Sequence, residues 1–327
     1  MAVKLEDVAK LAGVSPTTVS RVINNKGYLS QRTIEKVLKA IKELNYQPNS
    51  LARSLQGKKS QLIGLIFPSV QHPFYGELIE KLEKNLFDRG YKCILCDSEN
   101  NPEKEREYLR MLAANQVDGI IAGSHNLDLE EYYQNIVAPV LSFDRALGPD
   151  IPIVASDNYS GGKIATHTLI SRGAKRIGII TGSNESNAPT RLRLDGYLLE
   201  MEQSNLEPNI FQIKSSASYS LKKQEIARIL REEKLEALFC TDDLTAILVM
   251  NEAQQQGISI PDDLLLIGYD GTSLIQQYFS QLTTIVQPID EIASVLAELL
   301  ITRIDEPDTP LEEIYTMPVK LLQANTI

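Results

Sequence analysis

The fold of the N-terminal region is decided by one stretch of sequence, Leu5-Glu-Asp-Val-Ala-Lys-Leu-Ala-Gly-Val-Ser-Pro-Thr-Thr-Val-Ser-Arg-Val-Ile-Asn24. Apolar residues recur at helical spacing over residues 5–12, which predicts a first helix. Gly13 can adopt the left-handed conformation that ends a helix, and Ser15 followed by Pro16 is a typical start for a second helix. Two short helices joined by a tight turn predict a helix-turn-helix, a motif that reads DNA.

A third helix is predicted from the N-cap Ser30 to about residue 44. Its expected buried stripe consists of Ile34, Val37, Leu38, Ile41 and Leu44. Three such helices around one core make a domain of roughly 45 residues, which is near the lower limit for independent folding. Helical spacing alone leaves open a small helical bundle with no role at DNA.

The distribution of charge favours the DNA-binding interpretation. Residues 1–60 contain 11 Lys and Arg against 4 Asp and Glu, whereas residues 61–327 contain 22 against 39. A basic head on an acidic body is the electrostatic pattern of a local DNA-binding module. We expect the acidic body to repel DNA, so that only the head contacts it.

Residues 46–60 predict a connecting segment. Pro48 ends the third helix, and Asn49 or Ser50 can cap one further short helix through Leu55. A helix of about two turns is unstable alone in water, so we expect it to be ordered only when DNA or a partner chain holds it. An exposed leucine in such a helix can enter the minor groove of DNA.

From residue 61 short β-branched runs alternate with amphipathic segments. The runs predict strands near residues 61–67, 91–96, 119–122, 140–143, 176–181, 237–241, 264–268 and 284–286. The amphipathic segments predict helices near residues 74–89, 102–115, 160–172, 191–204, 221–233, 245–256 and 289–304. Alternation of this kind is typical of parallel sheets with helices on both faces, and the length of the region predicts two α/β subdomains.

Cys93 and Cys96 form a C-x-x-C pair, which can indicate a metal or redox site. They lie in a predicted strand, where a spacing of three places the two sulfurs on opposite faces. The sequence therefore favours buried structural cysteines, and together with Cys240 they fit a reducing compartment.

The chain resembles the lactose and galactose repressor (LacI/GalR) family of bacterial transcription regulators, over most of its length to about residue 322. In the head and connector the resemblance rests on Asp7-Val8-Ala9, Ala12–Ser15, Thr18–Asn24, Leu44–Asn49 and Ala52–Leu55. In the body it rests on Gly64-Leu65-Ile66, Val117–Ile120, Asp157-Asn158, Gly161-Gly162, Arg193–Tyr197, Ile267–Asp270 and Leu282–Ile285. Within the family, Ala52–Lys58, Ala114–Ile120, Ser124–Leu127 and Asp242–Leu248 are most similar to the regulators of sucrose operons in Gram-positive bacteria.

The resemblance implies a helix-turn-helix head over residues 1–47, a hinge helix and linker over 48–60, and an effector-binding and dimerisation body over 61–327. It implies that the body has the fold of periplasmic sugar-binding proteins, with chain crossings near residues 157–160, 286–289 and 318–320. One subdomain would then hold about residues 61–158 and 288–318, and the other about residues 159–287 and 319–327.

The resemblance also implies which residues contact DNA: Ser15, Pro16, Thr17, Thr18, Arg21, Asn24, Asn49, Ala52, Arg53 and Leu55. Arg21 suits bidentate bonding to guanine, and Leu55 would insert at the centre of a palindromic operator. A phosphate contact is the alternative for Arg21, and it would supply affinity without sequence information.

Ligands of open α/β sheets bind beyond the carboxyl ends of the strands, and polar residues cluster there in this sequence. The resemblance implies Phe74 and Tyr75 as a packing wall and the following polar contacts: Asp144, Arg193, Asp242, Asp270 and Gln287. Such carboxylates and amides suit the hydroxyl groups of a sugar, which both donate and accept hydrogen bonds. Asn187 and Tyr219 are weaker candidates.

Each isolated aspartate has a second interpretation, in which it is a helix N-cap or a solvated charge in a loop. For Asp97 and Asp243 this second interpretation is favoured. A phosphate on the sugar would require cationic groups near Arg145, Arg191 or Arg193.

The sequence thus predicts a cytoplasmic repressor that binds a double-stranded palindromic operator as a homodimer and responds to a small sugar. Sucrose, fructose and their phosphorylated forms are all compatible. A corepressor- or phosphoprotein-dependent catabolite regulator is the alternative, and a sugar-processing enzyme with a regulatory DNA-binding head is a distant one. Because the sequence has no P-loop, G-x-G-x-x-G, H-E-x-x-H or G-x-S-x-G motif and no long apolar run, we expect no cofactor, metal site, catalytic residue or membrane span.

Overall fold

The computed structural model describes residues 3–23, 27–46, 59–123, 126, 129–182, 188–214 and 217–327. The chain divides into two compact units, Met1–Ser60 and Gln61–Ile327, and each unit has its own hydrophobic core.

The first unit contains three described helices, α1 (Leu5–Ala12), α2 (Pro16–Ile23) and α3 (Gln31–Glu43). Gly13 has a φ of 68° and ends α1 in the left-handed conformation. Ser30 caps α3, since its hydroxyl accepts a hydrogen bond from the backbone N–H of Thr33 at 3.3 Å. The predicted helix-turn-helix is therefore confirmed.

The core of this unit is formed around Val8, Val19 and Val37, which are fully buried. The prediction that Leu38 belongs to this core is wrong, because its side chain is 53% exposed. Ala40 fills the position instead, one turn after Val37, whereas Leu38 lies about 100° further around the helix.

The second unit contains two six-stranded sheets, with strand bounds β1 (Leu62–Phe67), β2 (Lys92–Asp97), β3 (Gly119–Ala122), β4 (Val140–Phe143), β5 (Ile153–Ser156), β6 (Ile177–Thr181), β7 (Asn209–Gln212), β8 (Ala237–Cys240), β9 (Leu265–Asp270), β10 (Thr283–Val286), β11 (Ile314–Met317) and β12 (Lys320–Leu322). The described helices are α4 (Pro73–Asp88), α5 (Pro102–Ala114), α6 (Glu130–Gln134), α7 (Asn158–Ser171), α8 (Pro189–Gln203), α9 (Tyr219–Glu232), α10 (Asp243–Gln256), α11 (Ser273–Tyr278) and α12 (Ile289–Asp305).

Sheet A has the strand order β11-β5-β4-β3-β1-β2 and is parallel throughout. Sheet B has the order β12-β10-β9-β8-β6-β7 and is parallel except for β12, which pairs antiparallel with β10. Helices α4 and α12 cover one face of sheet A and α5 and α6 the other, and together they form lobe A. Helices α7 and α8 cover one face of sheet B and α9, α10 and α11 the other, and together they form lobe B.

The chain passes between the lobes three times, because β1–β5 and β11 lie in sheet A whereas β6–β10 and β12 lie in sheet B. The passages follow Ser156, Val286 and Met317. They lie near the three positions that the family resemblance implied, and the two-sheet α/β fold is confirmed.

All the predicted strands and helices of the body are present, but the sequence analysis missed four strands and two helices. The missed elements are β5, β7, β11, β12, α6 and α11. Each missed strand has only three or four residues with alternating burial, and each missed helix has five or six residues. Segments this short contain too few residues to establish a period.

Cys93 and Cys96 lie on opposite faces of sheet A, as their spacing predicted. Cys93 packs against the core on the α4 side, and Cys96 belongs to the core on the α5 side. Burial raises the pKa of Cys96 to about 11, which keeps it as an unreactive thiol. In the part of the chain that the structure describes, no helix has the length and apolarity to cross a bilayer.

Candidate functional site

A cavity of about 520 Å³ lies between lobe A and lobe B at the carboxyl ends of the strands. Its volume is in the range of small-molecule sites. All seven residues that the sequence analysis assigned to an effector line it, namely Phe74, Tyr75, Asp144, Arg193, Asp242, Asp270 and Gln287. Further polar residues of its wall are Gln71, His72, Asn100, Arg145, Thr190 and Lys222.

The aromatic wall comes from the first turn of α4, which begins with Pro73 after β1. The Phe74 ring stacks on Phe143 at a centroid distance of 5.6 Å and meets the edge of Tyr75 at 5.5 Å. Three packed rings give this side of the cavity a rigid apolar surface.

Asp144 follows β4 and has a φ of 65°, in the left-handed region. Its Oδ1 accepts a hydrogen bond from Nδ2 of Asn158 at 2.9 Å. Burial raises the pKa of Asp144 to about 6, although the nearby guanidinium groups of Arg193 and Arg145 and the Asn158 bond lower it.

Arg193 projects from the first turns of α8 and is 6% exposed. Its Nε donates to Oδ1 of Asn158 at 2.8 Å and its Nη1 to the backbone oxygen of Thr241 at 2.5 Å. The guanidinium carbon lies 3.7 Å from the ring centroid of Tyr269, and Nη1 lies 3.9 Å from Oδ1 of Asp270. Contacts on three sides fix the guanidinium at the floor of the cavity.

Asp270 ends β9 with a φ of 114°, an unusual value for a residue with a side chain. Its Oδ1 accepts a hydrogen bond from Nε2 of Gln287 at 2.7 Å. Burial raises the pKa of this carboxyl well above its usual range, although Arg193 lowers it. Backbone strain of this kind persists at ligand sites because the surrounding structure holds the residue in place.

Asp242 caps α10, so the N-cap interpretation describes it. Its Oδ1 accepts from the backbone N–H of Thr245 at 2.7 Å, and its Oδ2 accepts from the Thr245 hydroxyl at 2.8 Å. The carboxylate nevertheless lines the cavity, so the two interpretations are compatible.

Asp243 has a structural position, as the sequence analysis favoured. It is 1% exposed and does not line the cavity. Its Oδ1 accepts from the Thr284 hydroxyl at 2.6 Å, and its Oδ2 accepts from the N–H of Gly271 at 2.7 Å. These two bonds connect the start of α10 to β10 and to the residue that follows β9.

Three further candidates, Asp97, Arg191 and Tyr219, do not line the cavity. Asp97 accepts hydrogen bonds from the N–H groups of Val70 and Glu99 at 3.3 and 3.1 Å. Arg191 bonds the Asp195 carboxylate at 2.8 Å, and Tyr219 is 65% exposed at the start of α9. Asn187 lies outside the described residues.

Asn158 is the residue whose role sequence reasoning missed. It lies at the first passage between the lobes and is 2% exposed. Its amide bonds Asp144 of lobe A and Arg193 of lobe B, so one side chain connects two cavity residues across the lobes. Its position could have indicated this role, because it lies within residues 157–160, where the family resemblance implied that the chain crosses between the subdomains.

In the first unit, α2 contains four of the predicted DNA contacts, Pro16, Thr17, Thr18 and Arg21. Pro16, Thr17 and Arg21 are exposed. The Ser15 hydroxyl accepts from the N–H of Thr18 at 3.2 Å and bonds the Thr18 hydroxyl at 2.9 Å, which caps α2. The other predicted DNA contacts, Asn24, Asn49, Ala52, Arg53 and Leu55, lie outside the described residues, as does most of the predicted hinge helix.

Within the described ranges, no group of three or more His, Cys, Asp or Glu side chains is arranged to hold a metal ion.

Comparison with known proteins identifies both units. Residues 4–49 match the model of bacterial regulatory proteins of the lacI family, and residues 166–324 match the periplasmic binding protein-like domain. The sucrose operon repressor of Pediococcus pentosaceus is 52% identical over 99% of both chains. The sucrose operon repressor of Streptococcus mutans is 53% identical over 100% of both chains. The crystal structure of the lac repressor dimer bound to operator and the anti-inducer ONPF matches with a TM-score of 0.86 at 26% identity, over 100% of this chain and 99% of that chain.

Proposed function

Because this chain belongs to the LacI family of bacterial regulatory proteins, it is a regulator and not an enzyme, and we propose that it represses sucrose-utilisation genes. A small sugar, sucrose or its fructose unit, binds between lobe A and lobe B and controls the affinity for the operator. The observation that carries the proposal is the convergence of seven predicted residues, from both lobes, on one cavity.

The chemistry of the cavity supports a sugar ligand. Asp144, Arg193 and Gln287 present acceptors and donors, which match the dual character of hydroxyl groups. The ring of Phe74 provides an apolar face for the C–H groups of a sugar ring.

The head supports a DNA ligand. One helix-turn-helix has too small an interface for tight specific binding, and two heads on a palindrome supply it. We therefore propose a homodimer in the cytoplasm, and the similarity to a repressor dimer bound to its operator supports it. In lobe A, Phe87 of α4 and Leu95 of the edge strand β2 are 61% and 46% exposed, and they offer apolar surface to a second copy.

Control of DNA affinity would follow from lobe movement. A ligand that contacts both lobes stabilises one arrangement of them, and residues 47–60 connect lobe A to the head. By linkage, the operator must weaken sugar binding by the same factor by which sugar weakens operator binding.

The test is fluorescence anisotropy of the full chain on a palindromic duplex from upstream of a sucrose-utilisation operon. We expect sucrose or fructose to weaken binding by at least about fivefold, whereas ribose has no effect. Calorimetric titration of the same sugar with and without the duplex should show that the duplex weakens sugar binding by the factor by which the sugar weakens duplex binding.

Each other outcome contradicts a part of the proposal. A sugar that strengthens operator binding would indicate the corepressor alternative. Turnover of the sugar would indicate the enzyme alternative, and equal sugar affinity with and without the operator would exclude allosteric control.

A further inference from the structure

A hydrogen-bonded contact joins the two lobes beside the cavity, between Glu77 of α4 and Ser273 of α11. We infer that Glu77 is a positioning residue for the effector, because through Ser273 it stabilises the arrangement of the lobes that binds the sugar. This inference rests on the proposed function. Neither residue lines the cavity, so the role that we assign to them requires no contact with the ligand.

The carboxylate of Glu77 uses both of its oxygens on one residue of the other lobe. Its Oε2 accepts a hydrogen bond from the backbone N–H of Ser273 at 2.8 Å, and its Oε1 accepts from the Ser273 hydroxyl at 2.7 Å. Hydrogen bonds to a charged acceptor are stronger than those between neutral groups, and two of them fix orientation as well as distance. A displacement of about 1 Å between α4 and α11 would take both bonds beyond hydrogen-bonding distance.

On lobe A the contact is fixed to the aromatic wall of the cavity. Glu77 follows Phe74 by three residues in α4, and residues at this spacing are neighbours on the surface of a helix. Phe74 is buried, and its ring stacks on Phe143 at the end of β4. A shift of Glu77 relative to lobe B therefore shifts the aromatic wall with it.

On lobe B the contact is fixed to the floor of the cavity. Ser273 follows Asp270 by three residues, and the two residues between them are held by lobe B. The N–H of Gly271 donates to Oδ2 of Asp243 at 2.7 Å, and the hydroxyl of Thr272 caps α11. The position of Ser273 therefore follows the position of Asp270.

The contact and the effector favour the same arrangement of the lobes. A sugar that lies between the aromatic wall and the Asp270 side chain requires these two surfaces at one spacing, and the bonds from Glu77 to Ser273 are made at that spacing. The apparent affinity of a ligand falls in proportion to the fraction of molecules in the binding-competent state. Loss of the contact lowers this fraction, so it weakens sugar binding although every ligand contact is kept.

The test is a double-mutant cycle on the full chain. Isothermal titration calorimetry measures the affinity for whichever of sucrose and fructose binds the unmodified chain. E77A removes both bonds, and we expect it to weaken sugar binding by at least about threefold. S273A removes the hydroxyl bond and keeps the N–H bond, so its effect should be smaller. In the E77A background S273A should have no further effect, because the acceptor is already absent.

A second measurement separates a positioning role from damage to the site. In operator release followed by anisotropy, E77A should need a higher sugar concentration for half of the maximal release, whereas saturating sugar should give the same release as in the unmodified chain. E80A is the matched control, since Glu80 is exposed on the same helix and does not line the cavity. Both quantities should be unchanged in E80A.

The possible failures are distinguishable. Unchanged or tighter sugar binding by E77A, with a melting temperature that shows a folded protein, would overturn the inference and leave the proposed function intact. Equal effects of S273A in both backgrounds would show that the two residues act independently, which would also overturn the inference alone. Absence of sugar binding by the unmodified chain would overturn the proposed function and the inference together.

Discussion

Gln287 donates a hydrogen bond from Nε2 to Oδ1 of Asp270 at 2.7 Å. The Oε1 of the same amide accepts from the Ser156 hydroxyl at 2.7 Å. Asp270 belongs to lobe B and Ser156 to lobe A, and Gln287 itself lies at the second passage between them. A single buried amide therefore joins the cavity floor to both lobes.

Replacing this amide should lower the stability of the body, residues 61–327, against unfolding. In Q287L the Asp270 carboxyl and the Ser156 hydroxyl both lose a buried partner, so we expect the free energy of unfolding to fall by roughly 2 kcal/mol or more. Urea unfolding followed by circular dichroism measures the change. The same substitution at Gln277, which is exposed on α11, is the control, and equal stability of the two variants would contradict the role of the amide.

A second prediction concerns the contact between α7 and α8, which sets the position of Arg193. A Cβ added at Gly162 would lie 2.1 Å from the backbone oxygen of Arg193. G162A should therefore separate the helices, at a cost of about 1–3 kcal/mol, and weaken sugar binding by moving the guanidinium. Thermal melting and calorimetry measure the two effects.

The control for this substitution is G76A in α4, where an added Cβ would lie 3.5 Å from the nearest atom, an ordinary contact. Alanine favours helix over glycine, so G76A should be neutral or stabilising by up to about 1 kcal/mol. If both variants were equally stable, close packing at Gly162 would not be the determinant of this interface.

The third prediction is a dependence of stability on pH that Asp144 causes. Burial raises its pKa to about 6 from the usual 3.8, so the folded chain holds a proton that the unfolded chain releases. The stability from this group is fully present below the unfolded pKa and is lost as pH rises through about 6. D144N removes this loss, so its melting temperature relative to the unmodified chain should rise between about pH 4 and pH 6 and level off above that.

Differential scanning fluorimetry at matched ionic strength measures this trend. D150N, at an exposed loop position, is the control for the loss of a carboxylate. A difference between D144N and the unmodified chain that stays constant or falls with pH would show that Asp144 does not titrate in this range.

Much of the cavity could be predicted from the sequence because parallel strands place their carboxyl ends at one edge. Once β1, β4, β6, β8 and β9 are located by their apolar runs, the residues that follow the strands of one sheet are expected at one edge of that sheet. The family resemblance implied which of these residues, together with Arg193 of α8, face a ligand between the two sheets. The dual position of Asp242, as helix cap and cavity wall, follows from the same arrangement.

The contacts that join the lobes could not be predicted. Asn158 and Ser156 bond partners that are distant in the sequence, and their geometry depends on how the chain crosses between the sheets. Leu38 shows a related limit, because an apolar residue beside a buried stripe looks the same in sequence whether or not a partner covers it.

The last prediction decides how the head reads DNA. Arg21 is exposed on α2, and a bidentate contact with guanine predicts that R21A loses about 1–3 kcal/mol on the operator, while binding to unrelated duplex changes little. A phosphate contact predicts an equal loss of binding free energy on both duplexes. It also predicts that the slope of the logarithm of the binding constant against the logarithm of the salt concentration falls by about one. Anisotropy titrations on both duplexes at several salt concentrations separate these outcomes, and K39A, which removes an exposed cation from α3, is the control. A loss confined to the operator would establish Arg21 as a base contact, and an equal loss on both duplexes would leave sequence recognition to the other exposed residues of α2.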